Sequence, residues 1–279
     1  MIAAVVALAA ANAGGAAPVL SASATGSWAG NITRCPDPDA AKDALVYDGN
    51  ARADWHAQLS RDFSLEYGMT GGFESCPKFE GLDRLLAGLQ VAVREKFGLG
   101  PMAPVLRAEV AYAGNWYREA LHTGTRFTAG LSLSKRWTDS WQTVLAAEYQ
   151  ANDGRAACYD FHNRGLSLEA HYDLSATWQL TGGVRRQWGE QVTYAWLGGS
   201  GADYPYNYDA WKNSTEIPTY GRNWYGYTLD AHADTVWISI SPALGRDRAL
   251  PLRFEQTGVV GQGESYRCRL ISLAFVQRF

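Results

Sequence analysis

Alternation of apolar and polar residues along unusually long segments constrains this chain more than any other feature. In Phe63-Ser64-Leu65-Glu66-Tyr67-Gly68-Met69 the odd positions are apolar and the even ones small or polar. Phe127, Ala129, Leu131 and Leu133 alternate with Arg126, Thr128, Gly130, Ser132 and Ser134. Leu166, Leu168, Ala170 and Tyr172 alternate with Ser167, Glu169, His171 and Asp173. Successive side chains of a strand point to opposite faces, so the pattern reads as sheet with one apolar and one polar face. No stretch after residue 24 carries a helical apolar period through three turns.

The pattern predicts about twelve strands, near 25–33, 51–59, 62–74, 83–97, 104–116, 123–137, 140–152, 163–174, 177–194, 222–242, 249–261 and 266–279. Several run to about 12–15 residues, against the 5–6 usual in soluble sheets, which suits a tilted membrane strand. Short connections at 60–62, 98–101, 138–139, 175–176 and 244–247 alternate with mostly longer ones at 34–50, 75–82, 117–122, 153–162 and 195–221. The fold class this implies is all-β: a closed antiparallel up-and-down transmembrane barrel with short periplasmic turns and long extracellular loops.

Composition agrees. The chain of 279 residues is 13% aromatic, with 29 Gly and only 10 Pro. A mean hydropathy of −0.24 excludes a bundle of membrane helices. A formal charge of −3 argues against nucleic acid as a partner. Trp137, Trp141 and Trp178 flank short turns, while Trp116, Tyr117, Trp188, Trp224 and Tyr225 lie at outer strand ends, as interfacial girdles do.

Residues 1–24 hold no charge, the first being Arg34. An apolar run over 2–11 and the small residues Ala22-Ser23-Ala24 read as a signal peptide, leaving 25–279 as the barrel domain; Ala11-Asn12-Ala13 is an earlier cleavage candidate. Cys35, Cys76, Cys158 and Cys268 show no metal-ligand spacing. In an exported protein they are disulfide candidates, Cys35 with Cys76 as neighbours and Cys158 with Cys268 by elimination. No metal or other cofactor is implied.

The last strand carries Ile271, Leu273, Phe275 and a terminal Phe279 at alternate positions, broken by Gln277. This resembles the assembly signal of Gram-negative outer-membrane β-barrel proteins. The resemblance implies a cell outer-membrane location, contact with lipid and lipopolysaccharide, and recognition by the barrel-assembly machinery.

With apolar positions on lipid, the alternate ones form a lumen charge network: Arg94, Arg107, Glu109, Arg126, Arg136, Glu148, Glu169, His171, Asp173, Asp230, His232 and Asp234. Both signs occur in similar numbers, which favours a tight or partly filled interior over a wide single-sign pore. Glu169-x-His171-x-Asp173 and Asp230-x-His232-x-Asp234 each set an imidazole between two carboxylates. Broken alternation over 235–241 and at Arg185-Arg186 predicts bulges.

The His-x-Ser pair of outer-membrane phospholipases and lipid A deacylases is absent, and the pattern around Asp230-x-His232 is not that of omptin proteases, so no catalytic residue is assigned. Trp196, Tyr204, Tyr206, Tyr208 and Trp211 in loop 195–221 are candidates for stacking on a glycan. The sequence therefore reads as a porin-like narrow channel or structural barrel passing a small solute, with a surface ligand- or glycan-binding barrel as the alternative and a hydrolase behind both.

Overall fold

The computed structural model describes residues 17–197 and 213–279. Twelve long strands follow one another in an antiparallel meander: β1 (Val19–Gly30), β2 (Ala44–Gln58), β3 (Phe63–Ser75), β4 (Arg84–Lys96), β5 (Val105–Tyr117), β6 (Gly124–Arg136), β7 (Trp141–Gly154), β8 (Phe161–Ser175), β9 (Trp178–Trp196), β11 (Trp224–Pro242), β13 (Leu252–Gly261) and β14 (Glu264–Arg278). Two-residue strands β10 (Thr215–Glu216) and β12 (Arg248–Ala249) pair with β11 and β14. The first strand pairs with the last, from Ser21 opposite Arg278 to Gly30 opposite Arg269, and the sheet closes.

Closure is what membrane lipid demands, because an unpaired edge would leave amide groups without partners in hydrocarbon. Within the strands, most exposed large apolar side chains fall on one side of the sheet. Leu85 and Leu89 of β4, Leu131 and Leu133 of β6, Leu166 and Leu168 of β8, and Leu252 and Phe254 of β13 are among them. Ile271, Leu273 and Phe275 of β14 stand in the same outer band, so the alternation that marks the last strand is its lipid face. Gln277 points outward as well, two residues before the barrel's lower rim at Phe279.

Three expectations change. The barrel begins earlier than residue 25: Val19–Ala24 belong to β1, where Ser21–Ala24 pair with β14. A cut at Ala22-Ser23-Ala24 would remove half of the closing strand. Residues 1–16 of the expected leader lie outside the described residues. Second, β9 and β11 stay in register without interruption from Trp224 opposite Trp196 to Pro242 opposite Trp178. The predicted bulges at 185–186 and 235–241 are therefore absent, and the register shift falls instead between Asp173 and Ser175. What broke the alternation is an inward tryptophan. Trp237 lies in the lumen against Gly183, where any Cβ would collide with its ring, and under the Arg253 guanidinium at 5.1 Å.

Third, all four cysteines are free thiols, so neither expected disulfide forms. Cys35, Cys76 and Cys158 are buried in an apolar cluster of the outer loops, where they pack as small hydrophobes. Cys268 lies on β14 and its Sγ reaches Asn31 O at 3.4 Å. It sits beside the shortest outer connection, Gln262-Gly263, whose φ values of 48° and 85° suit a tight hairpin turn.

Outward positions inside and beyond the apolar band should respond differently to charge. Leu273→Arg, in the lipid band, is expected to destabilise the folded barrel by roughly 2–4 kcal/mol, whereas Asp230→Arg, outward but beyond the apolar band, should cost about 0–1 kcal/mol. Denaturant titration of folding into lipid vesicles checks both; equal costs would contradict the placement of the band.

Candidate functional site: the lumen and its outer cap

The inner face is set by register. Arg94 lies opposite Arg107, and Ala92 lies between Glu66 and Glu109. Two guanidiniums facing each other across strands repel unless an anion intervenes. Glu66 supplies it, accepting from Arg94 Nη1 at 3.0 Å and Arg107 Nε at 3.3 Å, while Arg107 also donates to Glu109. Arg136, Glu148, Glu169, His171 and Asp173 occupy the same face further round. His171 Nε2 lies 2.8 Å from Glu169 Oε1, and Gln179 donates to Asp173 at 2.9 Å. The first imidazole ladder is thus one histidine–carboxylate contact and one neighbouring carboxylate tied elsewhere. Across the barrel, Arg253 pairs with Glu255 at 2.6 Å.

The second ladder does not belong to the lumen. Asp230, His232 and Asp234 share the outer face of β11 with Val236 and Ile238, which are exposed to lipid. Inward positions on this strand are Ala231, Ala233, Thr235 and Trp237. Asp234 accepts a two-pronged bond from Arg186 at 2.6 Å through each oxygen, on the outside of the barrel. At 19 residues each, β9 and β11 far exceed the roughly 9–11 a tilted strand needs to cross a membrane. The outer face changes from apolar to charged at Arg186 and Asp234, so this hairpin rises above the lipid. Its length was the sequence signal that an outward carboxylate here need not face hydrocarbon.

Five outer loops converge over the mouth. Each carries part of one apolar cluster: Cys35 after β1, Phe79 before the 3-10 turn Glu80–Leu82, Cys158 and Tyr159 in Ala157–Tyr159, and Ile217 and Tyr220 at Pro218–Tyr220, with Leu121 of Ala120–His122 packed against them. Ile217 is 0% exposed and Trp224 only 3%. Trp224 therefore belongs to this cap and not to the lipid girdle, and Tyr117 likewise turns inward. Lys42 ties the first loop to the last, donating to Tyr220 O at 2.9 Å with its ammonium 4.9 Å from the Trp224 ring.

A polar relay runs through the cap. His122 Nε2 lies 3.1 Å from Thr219 Oγ1 and 3.4 Å from Tyr159 Oη, and Tyr159 Oη is 2.9 Å from Tyr194 Oη. Burial pushes the His122 imidazole down to about 4, so it is neutral at neutral pH. Of the loop aromatics singled out above, Trp196 is exposed at the tip of β9. Tyr204, Tyr206, Tyr208 and Trp211 lie outside the described residues.

Pattern reading missed the two residues that matter most beneath the cap. Arg34 belongs to a loop with φ 49°, and strand alternation assigns no direction to loop residues. Its side chain keeps accessible surface yet is enclosed by protein, because the space it opens onto is the lumen. His122 likewise sits in a loop, in the 3-10 turn Ala120–His122, where no motif marks it. Arg34 lines two adjoining cavities, of about 370 Å³ and about 310 Å³. The first is also bounded by Arg84, Arg126, Tyr117 and Tyr220, the second by Arg185, Gln191 and Thr257. Two further cavities of about 260 Å³ continue along Glu148 and Glu169 and down to Arg136, His171 and Asp173 near the short turns.

Two outcomes check the cap. Ile217→Ala removes its fully buried aliphatic anchor and is expected to cost about 2–5 kcal/mol locally. Amide exchange should then accelerate in 213–224 while β2 to β8 stay protected. Acidification should also loosen the cap. His122 has a folded value depressed below its unfolded one, so its neutral form stabilises the cap above about pH 6.5, and that stability is lost as pH falls toward about 4. His122→Gln should flatten this dependence in exchange measured between those pH values.

No protein-family model matches the chain, and no curated protein sequence matches it. Among solved structures it is similar to an outer-membrane channel from Pseudomonas putida F1, at 11% identity and a TM-score of 0.58 over 95% of this chain and 96% of that one. The NanC porin (10% identity, TM-score 0.46, 92% and 98%) and the translocator domain of the autotransporter NalP from Neisseria meningitidis (9%, 0.45, 100% and 95%) superpose more loosely. At such identities the likeness is one of fold. Together with the apolar outer belt and the closed twelve-stranded sheet, the first of these likenesses gives the architecture: the chain folds as a β-barrel of the outer-membrane type.

Proposed function

We propose that this barrel is a narrow diffusion channel whose outer mouth is held by the loop cap. The observation that carries the reading is the charge-lined interior and the cavities left within it. Cavities follow one another from Arg34 beneath the cap to Asp173 near the short turns. Ion pairs such as Arg94–Glu66 and Arg253–Glu255 run along the walls and leave space between them. A barrel serving only as a membrane anchor has no need of such an interior; apolar packing would stabilise it as well or better. The charges instead lower the cost of admitting water and polar solutes to a low-dielectric membrane.

The surface-binding alternative rested on loop 195–221, whose central aromatics are outside the described residues. The flanking Ile217, Tyr220 and Trp224 are buried in the cap and not offered to a ligand at the outer surface. An export leader fits this reading if it ends ahead of Val19.

Planar-bilayer recordings of the refolded protein test the proposal, using the intact chain and a variant with 197–223 replaced by a short turn. The intact protein should give small, steady currents and the variant larger ones, because Ile217 and Tyr220 no longer hold the cap together. Silence from both would sink the channel reading.

A further inference from the structure

The larger cavity under the cap has two unlike walls. One carries cations. Arg84 donates to Glu74 at 2.9 Å, Tyr117 Oη at 3.1 Å and Asn115 Oδ1 at 3.3 Å, although its buried Nε has no hydrogen-bond partner among the described residues. Arg126 and Arg34 form no ion pair among the described residues, and the buried Nε of Arg126 has no hydrogen-bond partner there. The other wall is aromatic, built from Tyr159 and Tyr194 with Tyr220 above. Guanidiniums carry five donors in a fixed fork and do not lose their proton. Leaving two of them without a counter-ion in a confined space is costly unless water or an anion completes them.

We propose that this chamber binds small cyclic organic acids, with Arg126 and Arg34 taking the carboxylate and the tyrosine wall taking the ring. At about 370 Å³ the space admits one ring-sized solute together with water. The inference deepens the channel reading by naming what pauses within the lumen. It rests on the same chamber that reading uses, but equilibrium binding can be measured without conduction.

Titration calorimetry of the folded protein in nonionic micelles tests it, with benzoate as probe, benzamide as its uncharged counterpart and inorganic phosphate as an anion lacking a ring. Benzoate should bind saturably. Arg126→Gln and Arg34→Gln should each weaken it about ten- to a hundredfold, as expected for a lost charge-assisted contact, while Arg126→Lys recovers part of the affinity. Retained heat-modifiable migration on gels identifies variants that still form the barrel. Benzamide and phosphate should both bind at least about tenfold more weakly than benzoate. No saturable benzoate binding, binding indifferent to both arginines, or equal binding of benzamide would overturn the proposal. Phosphate binding as tight as benzoate would overturn the part played by the ring wall. Binding intact in a protein silent in bilayers would instead count against conduction and leave the chamber assignment standing.

Discussion

The pairing of β1 with β14 is the constraint on which everything else depends. A sheet in hydrocarbon cannot leave an edge, because each unpaired amide or carbonyl loses its water without replacement. Ten successive residue pairs from Ser21–Arg278 to Gly30–Arg269 remove that edge. Once the sheet closes, alternate side chains have only two destinations, lipid and lumen. The apolar rows and the charged interior follow from the same geometry.

The lumen satisfies its charges by a few short-range rules. Arg94 and Arg107 stand opposite one another because register puts them there, and Glu66 makes that arrangement tolerable. The cap obeys different physics. It is a small apolar core assembled from five loops, closed by Ile217 and Trp224, with His122 kept neutral by its burial. A membrane barrel thus carries a piece of soluble-protein core over its mouth. Arg34 and Arg126 lie at the junction between the two, where the water of one meets the aromatic wall of the other.

Strand existence was legible from sequence because lipid enforces alternation over every residue that crosses it. The predicted 62–74 and 123–137 sit within a residue or so of Phe63–Ser75 and Gly124–Arg136. Where a strand leaves the lipid the rule lapses, and the reading of Asp230, His232 and Asp234 as lumen residues failed for that reason. Inside, Trp237 imitated a bulge because a lumen can accept an apolar ring wherever a glycine such as Gly183 makes room. The cysteines misled through compartment logic, since a buried thiol serves as packing whether or not a partner is near.

The sequence by itself determined the barrel: its class, its strand number and the lipid face of its last strand, because hydrophobic period and connection length are local quantities. The tertiary structure alone decided where the membrane border crosses β9 and β11, how the loops pack into a cap, and that Arg34, Arg84 and Arg126 share one chamber. Those depend on closure, which brings together residues that no local pattern relates.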